Sequence, residues 1–207
     1  MADLLNEQEQ VDALKRWWKS YGTWFMLIII VILLIMLGYR FWQNHQQKVN
    51  VATSTAYNQL LVDVQQNQLT DAQAQANVLM QQYPHSIYAS LAALVLAQIQ
   101  LQQNQTSQTV TTLQWIISNG KDSATVNIAK IRLARVLLSQ NQAQQTLTTL
   151  QGMSHDPFVQ MLQGDAYVLL KQYAPAKQAY QNALSLLKST DPLYDLVQMK
   201  LANLPQG

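Results

Sequence analysis

The stretch LQQNQTSQTVTTLQ at residues 101–114 returns as LSQNQAQQTLTTLQ at residues 138–151, with ten of the fourteen positions identical. The interval is 37 residues, and 37 residues before Gln103-Asn104-Gln105 stands Gln66-Asn67-Gln68, so one tripeptide occurs three times at a fixed spacing. Self-similarity with a period of roughly 20–50 residues marks units that cannot bury their apolar faces alone and therefore stack. The repeated phrase reads as the turn between the two helices of each unit.

The segments around the phrase have helix signals. Asp71 or Thr70 can cap a helix that stops before Pro84, because the residue preceding proline avoids helical geometry. Ser86 caps the next, whose Ile87, Leu91, Leu94 and Ile99 recur at helical spacing until the turn at Asn104. Thr106 or Ser107 opens its partner. Asn119-Gly120 ends that partner with glycine in a left-handed cap, and Ser123 begins a helix through Ser139. Asp156-Pro157 and Asp191-Pro192 each pair a capping aspartate with proline at the first helical position. No segment alternates with period two, so the body is expected to be all-α.

The opening forty residues differ in kind. Tyr21 to Tyr39 carries no charge, and at about 1.5 Å per residue it spans roughly 28 Å, close to the hydrocarbon core of a bilayer. Trp17, Trp18, Tyr21 and Trp24 on one side and Tyr39, Phe41 and Trp42 on the other form interfacial belts, with Arg40 placed to snorkel. The bulky GYRFWQN that follows is unlike a signal-peptide cleavage site. Lys15, Arg16 and Lys19 before the span against Arg40 and Lys48 after it favour a cytoplasmic N-terminus and an exported body. Before the span, Val11, Leu14 and Trp18 share one helical face beside Lys15 and Lys19, which suits a helix lying in headgroups.

Composition excludes several functions. There is no cysteine, hence no disulfide framework, thiol catalysis or thiolate zinc site. The net charge is +2, and from residue 49 onward eight Lys and Arg face seven Asp, so there is no footprint for nucleic acid. His45, His85 and His155 are dispersed, and Ser154-His155-Asp156 is adjacent in sequence and so cannot form a relay. No Gly-rich phosphate loop occurs. Neither an enzyme nor a cofactor is expected.

The unit is best formed in GDAYVLLKQYAPAKQAYQNAL, where Gly164, Tyr167, Ala176, Tyr180 and Ala183 sit at the small and large positions of a pattern that resembles the tetratricopeptide repeat. Ala97 and Ala134 keep the small residue of the first helix in earlier copies, while Thr109 and Thr146 replace the alanine of the second. The step from Ala134 to Gly164 is 30 residues, which predicts a shorter inter-repeat loop there. The expected architecture is an all-α chain with a single N-terminal transmembrane helix. After it comes a tetratricopeptide-like α-solenoid of about four helical hairpins plus a C-terminal capping helix. The expected divisions are 1–20 cytoplasmic, 21–42 anchor and 43–207 solenoid, with repeats near 51–83, 86–120, 123–153 and 156–189 and a cap at 191–204.

The chain also resembles the ancillary SecYEG translocon subunit family in EQVDALKRWWKSYG before the span, YASLAALVLAQ from Tyr88, NIAKIRLARVLL from Asn127, the GDAY repeat and QMKLANL from Gln198. The resemblance implies an inner-membrane anchor, a cytoplasmic N-terminus and a periplasmic domain. It also implies association with the SecYEG translocon and with a membrane-anchored periplasmic peptidyl-prolyl isomerase-like chaperone, so that exported client chains reach periplasmic folding factors. An envelope adaptor assembling fixed partners without touching clients is the alternative. The span departs from the family in being nearly all Ile and Leu, and the body in its richness in Gln.

Arg132 and Arg135 mark the one polar stripe of the helix IAKIRLARVLLSQ, with Ser139 between them. By the repeat offsets Arg135 matches Gln98 and Asp165, and Gln102 follows Gln98 by one turn. First helices of such repeats line the concave surface, so these residues are candidates for a polar strip holding an extended peptide or partner helix. The alternative is that Arg135 and Asp165 pair across the repeat interface and set its register.

Overall fold

The computed structural model describes residues 2–153 and 155–205; at 2–14, 16, 20–23, 25, 44 and 45 the backbone alone is described. Among these residues every regular element is helical: α1 (Ala2–Gln65), α2 (Leu69–Gln82), α3 (Ile87–Gln102), α4 (Thr106–Asn119), α5 (Ser123–Ser139), α6 (Ala143–Thr149), α7 (Pro157–Leu169), α8 (Tyr173–Leu186) and α9 (Pro192–Ala202). The chain divides into two compact units, Met1–Ala52 and Thr53–Gly207.

In the first unit, helix α1 contains a stretch long and apolar enough to cross a membrane, none of it buried within the protein. Side chains from Met26 to Leu37 are all exposed. Trp17, Trp18 and Trp24 precede this apolar run; Tyr39, Arg40 and Trp42 follow it, all of them exposed. The Tyr39 and Trp42 ring centroids lie 6.2 Å apart with the ring planes tilted by 40°. The side chains of Tyr21, Val11 and Leu14 lie outside the described residues.

In the second unit the repeated tripeptide acquires a physical explanation. Asn67, Asn104, Asn141 and Lys171 have φ of 59°, 59°, 59° and 58°, the four non-glycine residues in the left-handed region among those described. Each closes a helix by the same two bonds. The following glutamine N–H donates five residues back, at 2.8 Å for Gln68 to Asp63, 2.8 Å for Gln105 to Gln100, 2.9 Å for Gln142 to Leu137 and 2.9 Å for Gln172 to Tyr167. The left-handed residue itself donates three residues back, from Asn67 to Val64 and at the three equivalent places. Together these satisfy carbonyls that a helix end would otherwise leave orphaned. Asparagine tolerates the left-handed region better than other side chains, so the Asn of the phrase is dictated by backbone geometry.

The turn feeds directly into the next helix, which corrects the capping expected there. The N-cap positions of α2, α4, α6 and α8 are Gln68, Gln105, Gln142 and Gln172, with no side-chain cap bond, so Thr70, Asp71, Thr106 and Ser107 already lie inside or beyond the helix start. Caps between hairpins are conventional. Ser86, Asp122, Asp156 and Asp191 accept from backbone N–H groups of Tyr88, Thr125, Phe158 and Leu193, at 3.2, 2.8, 2.8 and 2.9 Å. The bonds from the Thr125 hydroxyl and then its N–H hold the Asp122 carboxyl below the ordinary aspartate range.

Packing follows the same register. Seven residues before each turn and nine after it stand Leu60 and Ala76, Ala97 and Leu113, Ala134 and Leu150, and Gly164 and Tyr180, all buried. Each pair joins one small and one large side chain, so complementary volumes meet at each helix contact. At the fourth the fit is tightest. A Cβ on Gly164 would fall 2.3 Å from Cε1 of Tyr180, so only glycine admits that ring. Thr109 and Thr146, standing where Ala72 and Ala176 stand in the other hairpins, are buried and bond back to the carbonyls of Gln105 and Gln142 at 3.1 Å. Their hydroxyls are thus satisfied locally and present a small apolar surface.

The core is a continuous series of clusters. One joins the end of α1 to α2 and α3, the next joins α3, α4 and α5, and the third runs from α5 through α9; Met80 and Trp115 pack against both of the first two. Two expectations fail. Gly120 has φ −65° and ψ 130°, an extended rather than left-handed cap. Glycine is required there because a Cβ would meet the Ile116 carbonyl at 2.7 Å and Val126 at 2.9 Å. The 30-residue step is not absorbed by a shorter loop: α6 has 7 residues where α4 has 14, and the connection that follows is longer than that after α4. Thr148 and Thr149 both bond back to their own helix, at 3.1 and 2.8 Å, and Leu150 takes up the C-cap.

Candidate functional site

Helices α3 and α5 pack as neighbouring first helices of successive hairpins, with α4 behind them. Between them opens a groove of about 540 Å³. Its buried lining is Ala97, Thr109, Leu113 and Val136, and its exposed lining is Gln98, Leu101, Arg132, Arg135 and Ser139. Thr109 turns its hydroxyl to its own helix, and Ser139 donates to the Val136 carbonyl at 2.7 Å. The floor is therefore apolar despite the hydroxyl of Thr109 on it.

The arginines come from successive turns of α5, at i and i+3, so they share one face. Arg132 donates from Nη1 to the backbone carbonyl of Leu94 on α3 at 3.2 Å, which ties α5 to α3 and fixes one guanidinium at the groove wall. Arg135 has no hydrogen bond or ion pair among the described residues and is exposed. No carboxylate lines the groove.

Of the residues singled out in the sequence, the fold brings Gln98, Arg132 and Arg135 into one groove and leaves Gln102 exposed outside its lining. Asp165 goes elsewhere. It lines a second groove of about 380 Å³ with Leu138, Val168, Tyr180, Lys200 and the chain around Leu204. Its Oδ1 accepts from Lys200 Nζ at 2.8 Å and from the Tyr180 hydroxyl at 2.7 Å. The pairing of Arg135 with Asp165 is thus replaced: α9 delivers Lys200 and α8 delivers Tyr180 to the same oxygen. Burial first, then the bond to Asp165 and its charge, push the Tyr180 hydroxyl well above the ordinary tyrosine range.

Sequence reasoning missed Leu101 on the exposed wall, Leu113 and Val136 on the floor, and Lys200 as the partner of Asp165. Leu101 and Leu113 were readable from the repeat, since Leu138 and Leu150 occupy the same places in the second copy of the phrase. Lys200 was not, because no periodicity predicts how a capping helix docks. Among the described residues no group of three or more His, Asp or Glu side chains is close enough to hold a metal ion.

Comparison with known proteins agrees with the fold. A family model described as a tetratricopeptide repeat-like domain matches residues 15–206. A protein of Neisseria gonorrhoeae named ancillary SecYEG translocon subunit is 34% identical over 99 residues, 47% of each chain. Proteins of the same name from Haemophilus influenzae and Aggregatibacter actinomycetemcomitans are 34% identical over 68 residues, 33% of each chain, and 30% identical over 100 residues, 48% of each. The aligned stretches span about half or less of these curated relatives. Among solved structures, a tetratricopeptide repeat protein from Parabacteroides merdae superposes with a TM-score of 0.59 at 15% identity, covering 72% of this chain and 58% of that one. MamA from Desulfovibrio magneticus superposes at 0.58 and 16% identity, covering 72% and 81%. These two show the shared fold.

Proposed function

Since the chain belongs to the tetratricopeptide repeat-like domain family, we propose that it is a non-catalytic accessory subunit of the SecYEG translocon. In this reading α1 anchors it in the inner membrane with the N-terminus cytoplasmic, and the solenoid stands in the periplasm. There it links exported chains to the periplasmic chaperone network, including a membrane-anchored peptidyl-prolyl isomerase-like partner. The reading is supported by the name shared by three relatives and by the excess of Lys and Arg before the span.

The observation that carries a protein-binding role is the groove between α3 and α5, apolar at its floor and polar at its rim, on a surface made from successive repeats. Anchoring works by placement: a site of modest affinity, confined to the membrane where chains emerge, acts at a raised effective concentration.

Photo-crosslinking in cells from a probe at Arg135, with a second probe at Leu14 for topology, tests this. Translocon subunits, periplasmic chaperones and many unrelated exported proteins are expected at Arg135. A few fixed envelope partners would support an adaptor instead, and cytosolic captures at Arg135 would overturn both the export reading and the orientation.

A further inference from the structure

We propose that the groove between α3 and α5 recognises a polypeptide segment through an acidic side chain, whose carboxylate is received by Arg132 and Arg135 while a neighbouring apolar side chain enters the floor. This deepens the protein-binding reading above and rests on it.

The charge distribution singles out this place. Residues 49–120 hold two aspartates and no Lys or Arg, and residues 141–207 hold four Lys against four Asp. Between them, residues 121–140 hold Lys121, Lys130, Arg132 and Arg135 against Asp122 alone. The second unit therefore concentrates its net positive charge on and beside α5. The one acid of that segment does not balance it: Asp122 is engaged with Thr125 as a cap, and no acid lines the groove.

The repeat supplies an internal control. At the position six residues before each turn, Asp165 meets two donors, while its equivalent Arg135 has no acceptor among the described residues and faces a groove lined by no acid. Two arginines one turn apart on a helix repel each other, so their placement on one wall favours an anion between them. The Arg132 bond to the Leu94 carbonyl uses one N–H of a planar fork and leaves the others for a carboxylate. A low-dielectric floor of Ala97, Leu113 and Val136 beside the pair strengthens its field. Together, the exposed fork and the apolar floor specify the occupant as an acidic residue next to one of leucine size.

Fluorescence anisotropy with the full chain in phosphatidylcholine nanodiscs tests this directly. The probes are a fluorescein-labelled dodecapeptide of Ala and Gly carrying Leu-Glu-Leu at its centre, and its Leu-Gln-Leu twin. The glutamate peptide is expected to bind at least about tenfold more tightly, with a preference that shrinks as salt rises. Arg135→Gln, with an unchanged melting temperature, is expected to erase that preference, and Arg135→Lys to retain part of it. Equal binding of the two peptides, binding by neither up to about millimolar concentration, or a preference that survives Arg135→Gln would each overturn the proposal. If the peptides bind alike while cellular crosslinks still report exported chains, carboxylate recognition fails and the translocon reading stands. Glutamate preference with only cytosolic captures gives the reverse.

Discussion

The third and fourth hairpins, α5/α6 and α7/α8, solve one packing problem with different residues. At their helix contact the third uses Ala134 with Leu150 and the fourth Gly164 with Tyr180, so removing a methyl from one helix is matched by a ring on the other. What repeats along the chain is the summed volume of the pair, not either residue. The ring also adds a hydroxyl that reaches Asp165, so the fourth hairpin is polar-locked where the third leaves Arg135 free to face the groove.

Emptying the fourth contact should have the largest effect. Tyr180→Ala removes a ring that is 2% exposed and leaves its pocket against Gly164, so a loss of about 3–5 kcal/mol is expected in urea unfolding. Gly164→Ala should cost about 1–3 kcal/mol by overpacking, although alanine favours a helix by about 1 kcal/mol over glycine. The double change Gly164→Ala with Tyr180→Leu installs the third hairpin's pair and should recover part of that loss. A stabilising Gly164→Ala would show that the two volumes are not coupled.

Breaking the polar lock comes next. Asp165→Ala removes an acceptor shared by Tyr180 and Lys200, whose side chain is 29% exposed against 23% for Asp165. Screening at such a site limits the expected loss to about 1–2 kcal/mol. The lock also has a pH signature. Because the folded Tyr180 pKa is raised above the unfolded value, the folded state keeps its proton after the unfolded chain has lost it. Its contribution is complete below the ordinary tyrosine pKa of about 10 and is lost as pH rises from there toward the folded value. Tyr180→Phe should flatten that alkaline decline; an unchanged slope would place its origin in other groups.

The turns show what a sequence can reveal. Three Asn at one interval announce a left-handed residue, and Ser86, Asp156 and Asp191 announce caps, because each reports a local backbone requirement. Gly120 misled for the same reason: glycine marks either left-handed backbone or close approach, and its neighbours in space decide which. The arginine groove was half legible, since helical spacing put Arg132 and Arg135 on one face, but the partner of Asp165 depended on the docking of α9. Lys171 occupies the left-handed site without the advantage of asparagine. Lys171→Gly should therefore stabilise by about 0.5–1 kcal/mol, with a smaller gain for Asn141→Gly. Equal gains at both would mean that asparagine has no preference for the site here.

The smallest effect on stability is expected at the residue most concerned with binding. Arg135 is exposed and makes no side-chain hydrogen bond or ion pair among the described residues, so Arg135→Ala removes solvent contact and a little packing along its stem. A change within about 0.5 kcal/mol is expected, with cooperative unfolding intact. Its repeat-equivalent Asp165 should behave oppositely, costing stability when removed and leaving peptide binding between α3 and α5 unchanged. This dissociation separates a position used to hold the stack from the same position used to face outward. A loss of cooperativity in Arg135→Ala would instead make the arginine part of the interface between hairpins, and the groove would lose its principal charged contact.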